Sequence, residues 1–366
     1  MSVRRSRRQF IAAAAAAGAT IPLAGLGPLS GLAGCAQAAP AKGPAGRADP
    51  PSPRATVPKR VLGKTGVEVS ILGVGGYHLG AVPNPDEAIR IVHEAIDAGI
   101  TFFDNAWEYH DGKSEEILGR ALDGGYRDRV FLMTKVCTHG RGADVAMQQL
   151  EQSLQRLKTD HLDLWQIHEC IYDNDPDLAF RPGGVFEALV AAKKQGKTRF
   201  VGFTGHKDPS IHLRMLALAA GNDFHFDTVQ MPLNCFDGNF RSFERAVLPE
   251  AVRRGIAPIG MKSLTGAGDP VRKGVVTVEE ALGYAMSVPG VATTVSGIDS
   301  VDILRQNLAI ARGFEPLSTD AMQALRMRVA GVSGDGRLEW YKSTVHYDAK
   351  VGRDQHGYPP EEQLPL

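Results

Sequence analysis

Four residues that can hold or move protons follow the ends of successive apolar runs in the chain. Asp104 and Tyr109 stand five residues apart after one run, Lys135 ends the next run, and His168 ends the run after that. Together they form an acid–base group in which tyrosine is the candidate proton donor. Tyrosine, with a reference pKa of about 10, is too weak an acid unless a nearby ammonium lowers its pKa. We therefore expect Lys135 to act on Tyr109, with Asp104 holding the lysine.

Eight short apolar runs are the elements that must position these residues. Their near-continuous apolar character, rather than alternation, is typical of parallel strands buried on both faces. The runs begin near Val69, Thr101, Val130, Leu162, Arg199, Thr228, Ala257 and Thr293.

Helical patterns fill the intervals between these runs. Asn84-Pro85 is a cap followed by a proline at the first helical position, and Thr277 with Glu280 is a capping box. Eight strand–helix units predict an α/β fold, a (β/α)8 TIM barrel, better than they predict an open sheet. In such a barrel, chemistry is expected at the carboxyl ends of the strands, where Asp104, Lys135 and His168 lie.

The same residues resemble the aldo-keto reductase family, whose barrel carries Asp, Tyr, Lys and His in this order. Further matching stretches are Leu62–Gly66, Gly99–Asp104, Val201–Gly205 and Val229–Asn234, and the resemblance covers about residues 59–312. It implies an NAD(P)H-dependent oxidoreductase that reduces an aldehyde or ketone. Hydride addition to the carbonyl group builds negative charge on oxygen, so Tyr109 would be the general acid. Asp104, Lys135 and His168 would complete the catalytic set, with His168 donating a hydrogen bond to the carbonyl oxygen.

The cofactor site implied by this resemblance lies across the top of the barrel. The chain has no Gly-x-Gly-x-x-Gly fingerprint after a first strand, so a Rossmann site is not expected. NADP is the expected cofactor, although Gly297 and Ile303 stand where many relatives have Lys and Arg, and Arg305 lies nearby; NAD stays an alternative. The candidate cofactor-binding residues are Gly76, Asp104, Thr204, Gln230, Met261, Lys262, Gly297, Gln306 and Asn307.

The substrate pocket is expected to take a small-molecule carbonyl compound, with Trp107, His110 and His139 as its candidate walls. Two alternatives stay open. One is a cofactor-binding regulatory or redox-sensing barrel with little turnover. The other is a metal-dependent barrel hydrolase, suggested by several histidines near strand ends. We expect no metal site, because no tight His-x-His spacing occurs and Lys135 would repel a cation.

The balance of 41 basic against 41 acidic residues hides an uneven distribution. Residues 1–34 contain four arginines and no acid, so the remainder has 37 basic and 41 acidic residues, a net charge of −4. This mildly acidic remainder argues against nucleic acid as a partner.

The basic head reads Ser6–Ile11 and precedes an Ala/Gly-rich apolar run. It resembles a twin-arginine signal, which makes the export machinery an expected partner. Leu32–Cys35 resembles a lipobox, so we expect lipidation of Cys35; a simple cut near residues 36–38 and a membrane-spanning anchor are the rivals. The chain is expected to be periplasmic, or a membrane-anchored lipoprotein on the outer side of the cytoplasmic membrane.

The predicted organisation has four parts. Residues 1–35 are the signal, 36–58 a proline-rich linker, 59–330 the barrel, and 331–366 a C-terminal extension. The extension either closes over the substrate or packs on the barrel as a strap.

Overall fold

The computed structural model describes residues 55–137 and 142–343. Within these ranges, eight parallel strands, β3 to β10, close into a barrel in chain order, with β10 pairing with β3. The predicted (β/α)8 barrel is confirmed. The strands are β1 Lys59–Val61, β2 Glu68–Ser70, β3 Leu72–Gly75, β4 Phe102–Asp104, β5 Phe131–Cys137, β6 Leu162–His168, β7 Thr198–Thr204, β8 Thr228–Pro232, β9 Ala257–Met261 and β10 Thr293–Gly297.

Helices follow the strands and cover the outside of the barrel, and two of them begin at the predicted caps. The Asn84 side chain accepts from the Asp86 N–H, and Thr277 forms a capping box with Glu280. The helices are α1 Gly76–Ala81, α2 Pro85–Asp97, α3 Lys113–Ala121, α4 Ala143–Leu157, α5 Asp175–Phe180, α6 Val185–Lys194, α7 Pro209–Gly221, α8 Phe243–Ala246, α9 Leu248–Arg254, α10 Asp269–Arg272, α11 Val278–Ser287, α12 Val301–Arg312, α13 Thr319–Ser333 and α14 Trp340–Ser343.

A short antiparallel hairpin, β1 and β2, closes the amino end of the barrel. Leu62 and Val69 from this hairpin region are fully buried against the first residues of β4 and β5, Phe102 and Phe131. The apolar run that the sequence places at Val69 is therefore two elements, because β2 ends at Ser70 and the barrel begins at Leu72.

The register of the strands brings the polar residues of the sequence together at the carboxyl end. Gly75 is paired with Asp104, and Thr204 with Gln230. His168, the last residue of β6, is paired with Cys137 at the end of β5. Because parallel strands end at the same edge, these pairings place the predicted site residues around one mouth.

The C-terminal part of the described chain is fastened to the barrel by buried charges. Lys342 in α14 donates to Asp237 at 2.7 Å and to Glu339 at 3.0 Å, and its side chain is fully buried. Helix α13 runs through the expected domain boundary at residue 330 and ends at Ser333. The signal, Cys35 and residues 344–366 lie outside the described residues. Of the helices described, none has both the length and the apolar character needed to cross a membrane.

Candidate active site

Lys135 is the centre of a hydrogen-bonded group at the barrel mouth. Its ammonium donates to Asp104 Oδ1 at 2.8 Å, to the Asn105 carbonyl at 2.7 Å and to Tyr109 Oη at 3.3 Å. Lys135 and Asp104 are both buried, while Tyr109 is partly exposed. A buried lysine next to a carboxylate and a phenol places positive charge where a phenolate would form. Three of the four residues that the sequence singles out, Asp104, Tyr109 and Lys135, therefore meet in space.

Asp104 also links this group to the strand ends on the other side of the barrel. Its Oδ2 accepts from Gln230 Nε2 at 2.8 Å, so both carboxylate oxygens have donors. The amide oxygen of Gln230 is buried and, within the described residues, has no hydrogen-bond partner. An unused buried acceptor is costly in isolation, and it suits an amide N–H donor from a ligand.

Two more candidate residues flank Gln230 at the mouth. Thr204, at the end of β7, is buried, and its hydroxyl lies 3.9 Å from the sulfur of Met261 at the end of β9. The thioether of Met261 is half-buried and accepts this weak hydrogen bond from Thr204. Lys262 follows in a left-handed conformation, with its ammonium 5.1 Å from the Tyr341 ring centroid.

His168 contacts both Tyr109 and Glu108, an acid that is not among the predicted site residues. The rings of His168 and Tyr109 meet edge to face, with centroids 5.5 Å apart. The Nδ1 atom of His168 lies against a carboxylate oxygen of Glu108, the residue before Tyr109, although no hydrogen bond joins the two within the described residues. Tyr77 also meets the Tyr109 ring edge to face, with centroids 5.5 Å apart. The phenol ring therefore contacts both an imidazole and a second tyrosine.

A second buried histidine and acid lie beside this pair. Glu169 follows His168, has a left-handed backbone conformation, and lies 3.8 Å from His206 Nε2. Burial, opposed by the nearby Glu169 carboxylate, lowers the pKa of His206 to about 4. Glu108, His168 and Glu169 each offer one ligand atom within 4.8 Å of the others, a spacing that would also suit a cation.

Two glycines predicted to contact the cofactor lie where the backbone approaches other groups closely. A Cβ at Gly76 would come within 2.6 Å of the Asp104 carbonyl oxygen. A Cβ at Gly297 would come within 2.3 Å of His78 Nδ1. Both glycines are therefore required by the packing of the mouth itself. A cofactor contact by either one stays a prediction.

The candidates for the far end of the cofactor differ in exposure. Gln306 is exposed on α12, whereas Asn307 is buried and donates to the Ser296 hydroxyl at 3.1 Å. Asn307 therefore ties α12 to β10. Arg305 is exposed and makes a two-point ion pair with Glu94, at 2.7 and 3.2 Å.

The residues expected to line the substrate pocket have side chains that pack against different parts of the barrel. Trp107 donates from its indole to Gln152 at 2.7 Å, and the Arg156 guanidinium lies over its ring, so the indole lies against α4. His110 contacts the Tyr77 carbonyl oxygen at 2.7 Å and packs its ring on Tyr77. His110 thus supports Tyr77 at the mouth, and His139 lies outside the described residues.

Comparison with known proteins places these features in a family. A sequence model described as "Aldo/keto reductase family" matches residues 71–268, more than half of the chain. The chain is 30% identical over 287 residues to a "6-dehydroglucose reductase" of Novosphingobium aromaticivorans, covering 70% of this chain and 90% of that protein. It is 27% identical over 296 residues to an "L-galactose dehydrogenase" of Arabidopsis thaliana, covering 71% and 90%.

Solved structures show the same fold. A putative aldo-keto reductase from Pseudomonas aeruginosa has a TM-score of 0.55 and 29% identity, covering 69% of this chain and 94% of that one. An aldo/keto reductase from Klebsiella pneumoniae, solved with NADP and acetate, has a TM-score of 0.61 and 24% identity, covering 76% and 96%.

Proposed function

This chain belongs to the aldo/keto reductase family, and from that membership we propose that it reduces an aldehyde or ketone, with Tyr109 as the proton donor and NADPH as the hydride source. The observation that carries the proposal is the 3.3 Å hydrogen bond from the buried Lys135 ammonium to Tyr109 Oη. The family gives no support to the metal-dependent hydrolase alternative.

The mechanism follows from what each side chain can stabilise. When bound, the reduced nicotinamide supplies a hydride to the carbonyl carbon. Tyr109 gives its proton to the carbonyl oxygen, and the phenolate that remains is stabilised by Lys135. Asp104 accepts a hydrogen bond from Lys135 at 2.8 Å and holds the ammonium in place.

The residues around Gln230 fit the carboxamide of a nicotinamide. The unused amide oxygen of Gln230 is an acceptor for the carboxamide N–H, and the Thr204 hydroxyl lies on the neighbouring strand. At the other end, the exposed Arg305 is our candidate to hold a 2′-phosphate, and it would have to share its guanidinium with Glu94. We prefer NADP over NAD on family grounds, and KM values for NADPH and NADH test this preference.

Substitution of Tyr109 by Phe tests the function. We expect kcat to fall by about 10²- to 10⁴-fold, because the positioned acid is lost, while NADPH binding measured by fluorescence titration is retained. The carbonyl panel includes sugar aldehydes, since two relatives are named for sugars. Tyr126→Phe, in a ring that stacks on His93, is the matched control. Turnover that survives in Tyr109→Phe contradicts the assigned role, and NADPH binding without turnover in the wild type favours the regulatory alternative.

We also propose that the protein is exported by the twin-arginine route and lipidated at Cys35. The support is the sequence Ser6–Ile11 and the lipobox-like Leu32–Cys35. An Arg7→Lys, Arg8→Lys double variant should stay in the cytoplasm, and Cys35→Ser should leave the membrane fraction. Unchanged fractionation of either variant would refute the corresponding step.

A further inference from the structure

Arg156, in the last turn of α4, is a charged residue close to the site that the proton-transfer scheme above does not use. One nitrogen of its guanidinium donates to the Trp107 carbonyl at 2.9 Å and to Glu115 Oε2 at 3.2 Å. The Glu115 side chain is fully buried, whereas the Arg156 side chain is 23% exposed. The guanidinium also lies over the Trp107 ring, with its carbon 5.5 Å from the ring centroid. Arg156 therefore joins α4 to the part of the chain that carries Tyr109.

The residues between β4 and α3, numbers 105–112, are called the Tyr109 segment below, and their backbone has an unusual conformation. His110 and Asp111 have φ of +53° and +57°, in the left-handed region that residues with side chains rarely adopt. Gly112 follows with φ of +90°. Backbone of this kind persists only where the surrounding structure fixes it. The contacts made by the Tyr109 segment therefore determine where the phenol lies.

Arg156 contacts the Tyr109 segment on both sides of the phenol. It donates to the carbonyl of Trp107, two residues before Tyr109. It also packs against Gly112, three residues after Tyr109, where a Cβ would collide with the guanidinium. The same guanidinium holds Glu115, in the first turn of α3. Because a guanidinium is rigid and planar, it fixes the separation of the residues that flank the proton donor.

The other contacts of the segment act mainly on its first three residues. The carbonyl of Asn105 accepts from the Lys135 ammonium at 2.7 Å, and the Trp107 N–H donates to the Lys135 carbonyl at 3.0 Å. The Trp107 indole donates to Gln152, one turn before Arg156 in α4, at 2.7 Å. Lys135 and Gln152 therefore fix the start of the segment, and Arg156 connects that start to its end at Gly112.

We propose that Arg156 is a positioning residue for the reduction: it holds the Tyr109 segment so that the phenol stays 3.3 Å from the Lys135 ammonium and within reach of the carbonyl oxygen. This inference rests on the proposed function. Misplacing a reacting group by about 1 Å can lower the rate of the chemical step about 10²-fold, even when the substituted residue lies far from the reacting atoms. Loss of Arg156 should therefore slow hydride transfer without weakening the binding of NADPH.

The single-turnover rate of NADPH oxidation tests the proposal, because it separates the chemical step from binding and product release. In Arg156→Met we expect this rate, at saturating carbonyl compound, to fall about 10²-fold. The Kd for NADPH, measured by fluorescence titration, should not change. Arg156→Lys keeps a cation without the planar group, so its rate should lie between those of the wild type and Arg156→Met.

Arg127→Met is the matched control. Arg127 is also partly buried, with a side chain that is 19% exposed, and it pairs with the buried Asp163 at 3.1 Å. It donates to the carbonyls of Val130 and His161, at 3.3 and 3.2 Å, which lie just before β5 and β6 at the amino end of the barrel. Its loss should lower stability and leave the single-turnover rate of the folded protein unchanged.

Combination with Tyr109→Phe shows whether Arg156 acts through Tyr109. If Arg156 positions the phenol, Arg156→Met should cause little further loss in the residual rate of Tyr109→Phe, because two residues that act as a unit are not additive. A merely structural role would give the same loss in both backgrounds. An equal loss in both backgrounds, or a wild-type rate in folded Arg156→Met, would overturn the proposal.

A second variant keeps the test valid if Arg156→Met does not fold. Arg156→Met leaves the Glu115 carboxyl buried without its guanidinium partner, whereas Glu115→Gln keeps an acceptor for the Thr134 hydroxyl, which donates to Glu115 Oε1 at 2.6 Å. The double variant Arg156→Met, Glu115→Gln should therefore fold more stably than Arg156→Met. Its single-turnover rate should fall as far below that of Glu115→Gln alone as Arg156→Met falls below the wild type.

The two proposals fail in different ways. Acrylamide quenching of Trp107 fluorescence, assigned with a Trp107→Phe variant, needs no turnover and should increase in Arg156→Met. If the wild type turns over no carbonyl compound, the proposed function fails while the quenching still reports on the contact between Arg156 and the segment. If Tyr109→Phe lowers turnover as expected but Arg156→Met changes neither the rate nor the quenching, the function stands and the role of Arg156 is lost.

Discussion

Lys135 and Lys342 are both almost completely buried, and both donate to a buried aspartate at nearly the same distance, 2.8 Å to Asp104 and 2.7 Å to Asp237. Each has a tyrosine close by. At the barrel mouth the lysine donates to one carboxylate, that of Asp104, and also to the phenol oxygen of Tyr109. In α14 the lysine has two carboxylates, because Glu339 also accepts from it.

The two sites differ in the number of carboxylates near the lysine and in the exposure of the neighbouring tyrosine. These differences determine whether that tyrosine can donate a proton to a substrate. Burial and then the Glu339 carboxylate raise the pKa of Tyr341 well above its usual range, so that phenol stays protonated. Tyr109 faces an ammonium and is partly exposed at the mouth. The same residue types therefore fasten a chain end in one place and prepare a proton donor in the other.

Lys135→Met should produce the largest effect. We expect kcat to fall by about 10²- to 10⁴-fold, because the phenolate of Tyr109 loses its ammonium. The measurement is kcat per folded molecule with saturating NADPH, because stranding Asp104 without its partner also costs about 3–5 kcal/mol of stability. Activity retained in this variant would mean that Lys135, like Lys342, has only a structural role.

Lys342→Met serves as the reciprocal variant. We expect a loss of about 3–5 kcal/mol in the free energy of unfolding, because Asp237 and Glu339 are left buried without their partner. At low temperature its kcat per folded molecule should match the wild type. Urea unfolding and steady-state kinetics on the same samples check both points. A large loss of kcat in the folded variant would show that the α14 lysine also serves catalysis.

A smaller, pH-dependent effect on the free energy of unfolding is expected from His206. Its ring meets the Tyr341 ring edge to face. Burial lowers the pKa of His206 to about 4 in the folded chain, against about 6.5 when unfolded. Between these values the unfolded chain binds the extra proton, so stability falls as the pH falls. From pH 6.5 to 5.5 the loss from this residue should be at most about 1.4 kcal/mol.

Unfolding measured in urea at both pH values tests this expectation. His206→Gln should remove that part of the pH dependence, while the buried His212, whose pKa burial lowers to about 3, continues to contribute. His225→Gln, at an exposed position, is the control. An equal pH dependence in the wild type and His206→Gln would contradict the assignment.

The barrel and the core of the site were predictable from the sequence because their signals are local. The run Leu162–His168 is continuous enough to mark a buried strand to the residue, and the cap at Asn84 begins α2 as predicted. Once a barrel is predicted, the strand ends meet at one mouth by geometry. The group of Asp104, Tyr109 and Lys135 follows from that rule.

Side-chain direction in the loops could not be predicted in the same way. His110 has φ of +53°, a left-handed conformation unusual for a non-glycine residue, and its ring contacts the Tyr77 carbonyl. Trp107, three residues earlier, lies against α4. The pairing of Glu108 with His168 joins residues 60 positions apart, so no local pattern reveals it. The hairpin at the amino end was missed because its strands have only three residues each.

The hairpin of β1 and β2 bears on where ligands enter and on the order in which they bind. Leu62 and Val69 cover the amino end of the packed barrel core, so we expect ligands to bind at its carboxyl end. Both ligands of a two-substrate reaction then enter at the same end, where Tyr109 lies. We therefore expect ordered binding, in which the ligand that lies deeper binds first and leaves last.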